Sequence, residues 1–210
     1  NKAYLPFLFS EDVRHILSDD LLILMQEMDL PLLYKLAILS NRSDEKFQSI
    51  QKTFRLIFPN VRAIEISTQE TLKGFSSSSY LKVGIKVKGV KQLVPQERIS
   101  NGMLKTLFLI AEIQLMEPGS VFFIDEFENG LGINCIDVLT NEILDPTNNI
   151  QFIITSHHPY IINNVPVKDW KIIARNKGEI LNYSAEEIGI GKSKHEAFIQ
   201  LINSNIYNPR

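Results

Sequence analysis

The stretch Val121-Phe122-Phe123-Ile124-Asp125-Glu126 decides how this chain reads. Apolar residues run straight into two adjacent carboxylates. An ordinary buried strand does not tolerate that ending. A buried, unpaired carboxylate is costly, or it shifts its pKa until it is neutral. A strand that ends this way delivers its acids to a metal or a reacting water. It does so at the carboxyl edge of a sheet, where open α/β folds bind ligands.

Upstream lies Ile99-Ser100-Asn101-Gly102-Met103-Leu104-Lys105, followed by an apolar-periodic segment. Leu104, Leu107, Phe108, Ala111 and Leu115 fall at helical spacing and predict one buried face. Ser100 is placed to cap that helix. Gly102, with no side chain, lets backbone come close to a ligand. A helix N-terminus opened by Ser and Gly also suits an anion, through free N–H groups and the helix dipole. A capped core helix explains the segment equally well.

Downstream, Ile150-Gln151-Phe152-Ile153-Ile154 is a second apolar strand, ending in Thr155-Ser156-His157-His158. Pro159 then suits the start of a new helix. The order is therefore anion-binding helix, acidic strand, short helix, and strand with a terminal histidine.

In that order, the segment from Ile99 to Tyr160 resembles the C-terminal part of an ABC-type ATPase head. More narrowly, it resembles the soluble SMC/RecF/OLD-like branch, with its AAA-type ATPases of bacterial phage defence and DNA repair. Ile99 to Met103 resembles the signature motif of that family, and Val121 to Glu126 its Walker B strand. Phe127-Glu128-Asn129-Gly130-Leu131 resembles the D-loop region, and Thr155-Ser156-His157 the switch-histidine motif. Asn101 and Met103 depart from the transporter form of the signature, where Gly and Gln stand.

The resemblance implies an α/β P-loop NTPase fold: a core sheet flanked by helices, plus a helical and antiparallel β subdomain. It implies ATP and Mg²⁺ as cofactors. Asp125 would help hold the metal. Glu126 would act as general base or orient the attacking water, and His157 would meet the γ-phosphate. Ser100 and Gly102 would contact ATP bound to a second copy, with Asn129 and Gly130 at that homodimer interface. An effector such as a nuclease is implied only by analogy with the branch.

No Gly-x-x-x-x-Gly-Lys-[Ser/Thr] occurs in the 210 residues. Gly191-Lys192-Ser193 comes nearest, but Glu186 stands where the first Gly belongs. Without that motif nothing cradles the β- and γ-phosphates with backbone amides. The sequence also begins at Asn1 rather than Met. The expectation is a C-terminal piece whose Walker A lobe precedes Asn1, inactive by itself. The alternative is a non-catalytic binding or regulatory module that uses the dimer face.

The rest divides by pattern into a helical and antiparallel β segment, 1–98, and the motif-bearing part, 99–210. Residues 10 to 58 read as helices, with caps at Ser18 and Ser43 and breaks at Pro31 and Pro59. Val61 to Ile66 and Tyr80 to Val90 alternate as strands around a loose loop, Gly74 to Ser79. The second strand sets Lys82, Lys86 and Lys88 on one face. Such a row can meet the phosphates of DNA or RNA, or form a solvated outer face. Trp170 to Ala174 and Glu179 to Tyr183 predict a hairpin, and residues 185 to 206 a closing helix.

Composition bounds the function. With 22 basic and 24 acidic residues the net charge is −2, which gives no bulk attraction to nucleic acid. One cysteine, Cys135, excludes an intramolecular disulfide and fits a reducing cytosol. No signal peptide or membrane-length apolar run is present, so a cytoplasmic protein with no membrane partner is expected. No Cys/His cluster suggests zinc. Ser156, His157 and Asp125 lack the strand-to-helix elbow of a nucleophilic triad.

Overall fold

The computed structural model describes residues 18–27, 29–73, 76–145, 147, 149–191 and 194–204. The part of the predicted helical stretch before Ser18, and the hairpin tip at 74–75, lie outside the described residues. The chain divides into two compact units: 1–118 with 130–135, and 119–129 with 136–210.

Among the described residues of the first unit, three helices precede the strands: α1 (Ser18–Glu27), α2 (Leu32–Asn41) and α3 (Glu45–Ile57). Phe47, Ile50, Phe54 and Ile57 recur at helical spacing along α3 and are buried, so this helix is amphipathic. Its cap is Asp44, not the predicted Ser43: the Asp44 carboxylate accepts from Lys46 N at 2.9 Å. Ser43 has φ +53° and belongs to the turn that ends α2, which leaves the capping position to the next residue. Leu36, Ala37, Ile38 and Leu39 are all buried, which makes α2 a core element rather than a surface one.

Strands β1 (Val61–Lys73) and β2 (Ser76–Val87) form a long antiparallel hairpin, and β3 (Val94–Pro95) pairs with β2. The loose loop predicted over Gly74 to Ser79 is mostly strand, with Ser76 to Ser79 paired to Lys73 through Glu70. Main-chain hydrogen bonds do not depend on side-chain type, so a serine run can continue a ladder that its neighbours have set in register. Val83 and Ile85 face the core, as the alternation predicts.

Helix α4 (Asn101–Leu115) departs from its predicted single stripe. Leu107, Ile110, Ala111, Leu109 and Ile113 are all buried, whereas Leu104 and Phe108 are only half-buried. A helix apolar on most sides is an interior helix. Thr106 is fully buried among these residues, and its hydroxyl donates to Gly102 O at 2.7 Å.

In the second unit β4 (Val121–Ile124) pairs in parallel with β5 (Gln151–Ile154), residue by residue from Val121↔Gln151 to Ile124↔Ile154. Between them runs α5 (Ile133–Leu144), which begins at the end of the first unit and supplies the crossover a parallel pair needs. Cys135 and Leu139 on α5 are buried. After β5 come α6 (Pro159–Asn164) and the hairpin β6 (Lys171–Asn176) and β7 (Glu179–Ser184). The hairpin turns on Lys177 and Gly178, both with positive φ, as its Asn-Lys-Gly turn predicts. Trp170 packs with Ala185, Ile190 and Ala197, and its indole N–H donates to Val165 O at 3.1 Å. The closing helix α7 spans only Lys194–Ile202, and Gly189, at φ +70°, sits in a turn ahead of it. No helix among the described residues is long and apolar enough to cross a membrane.

Candidate functional site

The parallel pairing of β4 and β5 brings their carboxyl ends side by side. Thr155 N donates to Ile124 O at 2.9 Å, and Phe127 N donates to Thr155 O at 3.0 Å. Asp125-Glu126 and Thr155-Ser156-His157 therefore leave the sheet as neighbours.

One hydroxyl joins them. Thr155 Oγ1 donates to Asp125 Oδ1 at 2.5 Å and accepts from Glu126 N at 2.8 Å. Thr155 thus orients the first carboxylate and fixes the backbone of the second. No local sequence signal marks this role, because the partners lie 30 and 29 residues away. Glu126 has φ +45°, a left-handed conformation that costs a residue with a Cβ about 1–2 kcal/mol. Strain of this kind persists only where surrounding contacts over-determine it. Here those contacts are the Thr155 bond, Asn129 N donating to Glu126 O at 2.8 Å, and the fully buried Phe127 ring. The turn points the ring of Phe127 inward and leaves Glu126 exposed.

Asn129 acts on Glu126 a second time: its side-chain amide donates to Glu126 Oε2 at 3.1 Å. His157 is 83% exposed at its side chain, yet it is tethered. Its main-chain N donates to Glu128 Oε1 at 2.9 Å, and its ring Nδ1 stands 2.8 Å from the same oxygen. Burial pushes the Glu128 carboxyl up. The His157 main-chain N–H, its own N–H, the Ser156 hydroxyl and the His157 ring outweigh this and hold it below the ordinary carboxylate range. His158 caps α6, its Nδ1 accepting from Tyr160 N at 3.2 Å, so that histidine has a structural task. The Tyr160 hydroxyl hydrogen-bonds Asp137, a contact that raises the phenol pKa.

Ser100, Gly102 and Gly130 belong to the first unit. Ser100 caps α4 as its sequence position predicts, with Oγ accepting from Met103 N at 3.2 Å. A Cβ on Gly102 would stand 2.9 Å from Gly130 O, so that carbonyl already requires a glycine there. Gly130, at φ +72°, is glycine for conformational reasons as well.

The lysine row is largely neutralised. Lys82 pairs with Glu97, and Lys86 with Glu65. The Glu97 hydrogen bond raises the Lys82 pKa, and Lys82 in turn lowers that of Glu97. These pairs favour the solvated-face reading of the strand over phosphate contact.

Among the described residues no group of three or more His, Cys, Asp or Glu gathers to hold a metal. Mg²⁺ does not require such a cage. It is commonly held by one or two carboxylates together with substrate phosphates and water. Asp125, exposed and oriented by Thr155, fits that mode.

A model of the family described as "AAA domain, putative AbiEii toxin, Type IV TA system" matches residues 7–163. No curated protein matches the chain. Among solved structures, the chain is similar to an SMC ATPase studied for ATP-driven dimerization and DNA-stimulated activation. The two are 15% identical, with a TM-score of 0.48, over 87% of this chain and 96% of that one. It is similar to an SmcHead bound to the C-winged helix domain of ScpA, at 14% identity and TM-score 0.48, spanning 54% of that chain. An Smc head domain with a coiled coil and joint from Pyrococcus yayanosii is 18% identical, with TM-score 0.47, and the chain spans 33% of it. The family match spans well over half of the sequence, so the chain belongs to this AAA family of P-loop NTPases and has its mixed α/β fold.

Proposed function

We propose that this chain is the motif-bearing part of an ABC-type ATPase head that binds and hydrolyses ATP between two copies of itself. The observation that carries the proposal is the shared end of β4 and β5, where one threonine hydroxyl locks Asp125 and Glu126 together beside the tethered His157. Adjacent carboxylates and a histidine at one sheet edge suit phosphoryl transfer, which depends on positioning and charge stabilisation.

In this reading Val121 to Glu126 is the Walker B strand, and Asp125 is the residue that holds Mg²⁺. Bound Mg²⁺ would neutralise charge on the phosphates. Glu126 keeps Oε2 on the Asn129 amide, and in this reading Oε1 would take a proton from water. His157 presents its ring to the γ-phosphate. Ser100 and the α4 N-terminus form the signature motif, which meets nucleotide held by the second copy. Asn129 and Gly130 lie along that interface.

The phosphate cradle must come from a P-loop segment that this sequence does not contain. A feature of the second unit supports the need for one. Val121, Phe123 and Ile153 are 46%, 70% and 44% exposed on one face of the β4–β5 pair. Parallel sheets are normally covered on both faces, and a two-stranded sheet is marginal by itself. The missing motif equally supports a second reading, a non-catalytic regulatory module. Under either reading, a nuclease effector and a DNA-repair or phage-defence setting rest on analogy with the branch.

Titration with a fluorescent ATP analogue and Mg²⁺ separates the two readings. The chain alone is expected to bind negligibly. The chain completed by its P-loop segment is expected to bind at micromolar concentrations and to turn ATP over. Binding without turnover in the completed protein would favour the module.

A further inference from the structure

Glu128 lies between Glu126 and Asn129 and takes no part in the reaction proposed for its neighbours. Its side chain is only 9% exposed, and Oε2 is buried without a hydrogen bond. A buried carboxylate with an unpaired oxygen is a poor choice for stability alone. Its other oxygen accepts from the main-chain N–H of His157 at 2.9 Å, and the ring Nδ1 of the same residue stands 2.8 Å from it. A carboxylate can only accept there. Two acceptors repel at 2.8 Å, so this approach favours a proton on Nδ1, and it leaves Nε2 on the side of the ring away from Glu128.

We propose that Glu128 is the positioning residue for His157, fixing its tautomer and ring orientation so that Nε2 is the nitrogen presented to a phosphate oxygen. The proposal rests on the reading that His157 meets the γ-phosphate. It extends the logic by which a carboxylate behind a histidine sets which ring nitrogen faces the ligand. The neutral ring then has a lone pair on Nε2, and the protonated ring has a donor there. In either form the direction of approach is set before nucleotide arrives. The Asn129 amide on Glu126 and the Glu128 carboxylate on His157 come from consecutive residues of one loop.

Long-range ¹H–¹⁵N spectra of the 210-residue chain test this, since it has four histidines and His157→Ala assigns the signal. At a pH where the ring is neutral, the proton is expected on Nδ1 in the parent chain. In Glu128→Ala it is expected to move to Nε2, the form an untethered imidazole side chain favours. Glu128→Gln keeps an acceptor and is expected to retain the Nδ1 proton. In the completed ATPase, Glu128→Ala is expected to lower kcat about tenfold with little change in KM, and Glu128→Gln to recover much of that loss. A parent ring protonated on Nε2, or an Nδ1 proton that survives Glu128→Ala, would overturn the proposal. If His157→Ala left turnover unchanged, the γ-phosphate reading would fail, while the spectra would still decide the tether.

Discussion

Glu126→Gln in the completed ATPase is expected to lower turnover by about 10²- to 10⁴-fold, the usual contribution of a positioned general base. Nucleotide binding is expected to survive. The substitution keeps the size of the side chain and an oxygen that can accept from the Asn129 amide, now 3.1 Å from Oε2. It also keeps the backbone bond from Glu126 N to Thr155 Oγ1. Only the carboxylate proposed to accept a proton is lost. The variant should therefore accumulate with ATP bound and two copies associated, which size-exclusion chromatography with light scattering would detect. Unchanged turnover would remove Glu126 from the reaction and leave the strained turn at this residue without a catalytic explanation.

The second expected result concerns Thr155. Thr155→Val preserves shape and leaves in place the main-chain bonds from Thr155 N to Ile124 O and from Phe127 N to Thr155 O. It deletes the donor to Asp125 Oδ1 and the acceptor for Glu126 N. Residues that orient a ligating carboxylate typically contribute about 10- to 100-fold to metal affinity or activity, and a loss of that size is expected here. Thr155→Ser restores the hydroxyl and is expected to recover most of it. The change in folding stability should be small, about 1 kcal/mol, because the bonds lie at an exposed edge. Mg²⁺ dependence of turnover, measured beside thermal melting, distinguishes the two effects. A large drop in melting temperature with unchanged Mg²⁺ dependence would make Thr155 a structural residue only.

The mixed α/β fold was legible because its strands and helices announce themselves locally. Val121 to Ile124 and Gln151 to Ile154 are apolar runs that end in polar residues, and both are strands. Ser100 is a cap because a serine preceding an apolar-periodic segment can satisfy a free N–H of the first turn. Where local chemistry offers two answers, the fold decides between them. Ser43 and Asp44 both suit a cap, and the left-handed backbone at Ser43 decides between them. The serine run of β2 carries weak strand propensity, and pairing with β1 overrides it.

The candidate site divides along the same line. Asp125, Glu126 and His157 stand out because charged or titratable groups follow apolar strands. Thr155 and Glu128 do not, since their partners lie 29 or 30 residues away in sequence. Only the parallel register of β4 and β5 brings them together. Gly102 illustrates a third case. The sequence suggests a glycine that admits a ligand, whereas the structure shows the Gly130 carbonyl where a Cβ would stand.

The central claim is that each ATP site is shared between two copies, with Glu126 acting from one and Ser100 from the other. Mixing two inactive forms of the completed ATPase, Glu126→Gln and Ser100→Arg, tests it most directly. In a mixed dimer one site inherits both defects and the other inherits neither. Random mixing makes half the dimers mixed, so turnover is expected to recover to about a quarter of the parent level. A mixture no more active than its two components would contradict the shared site.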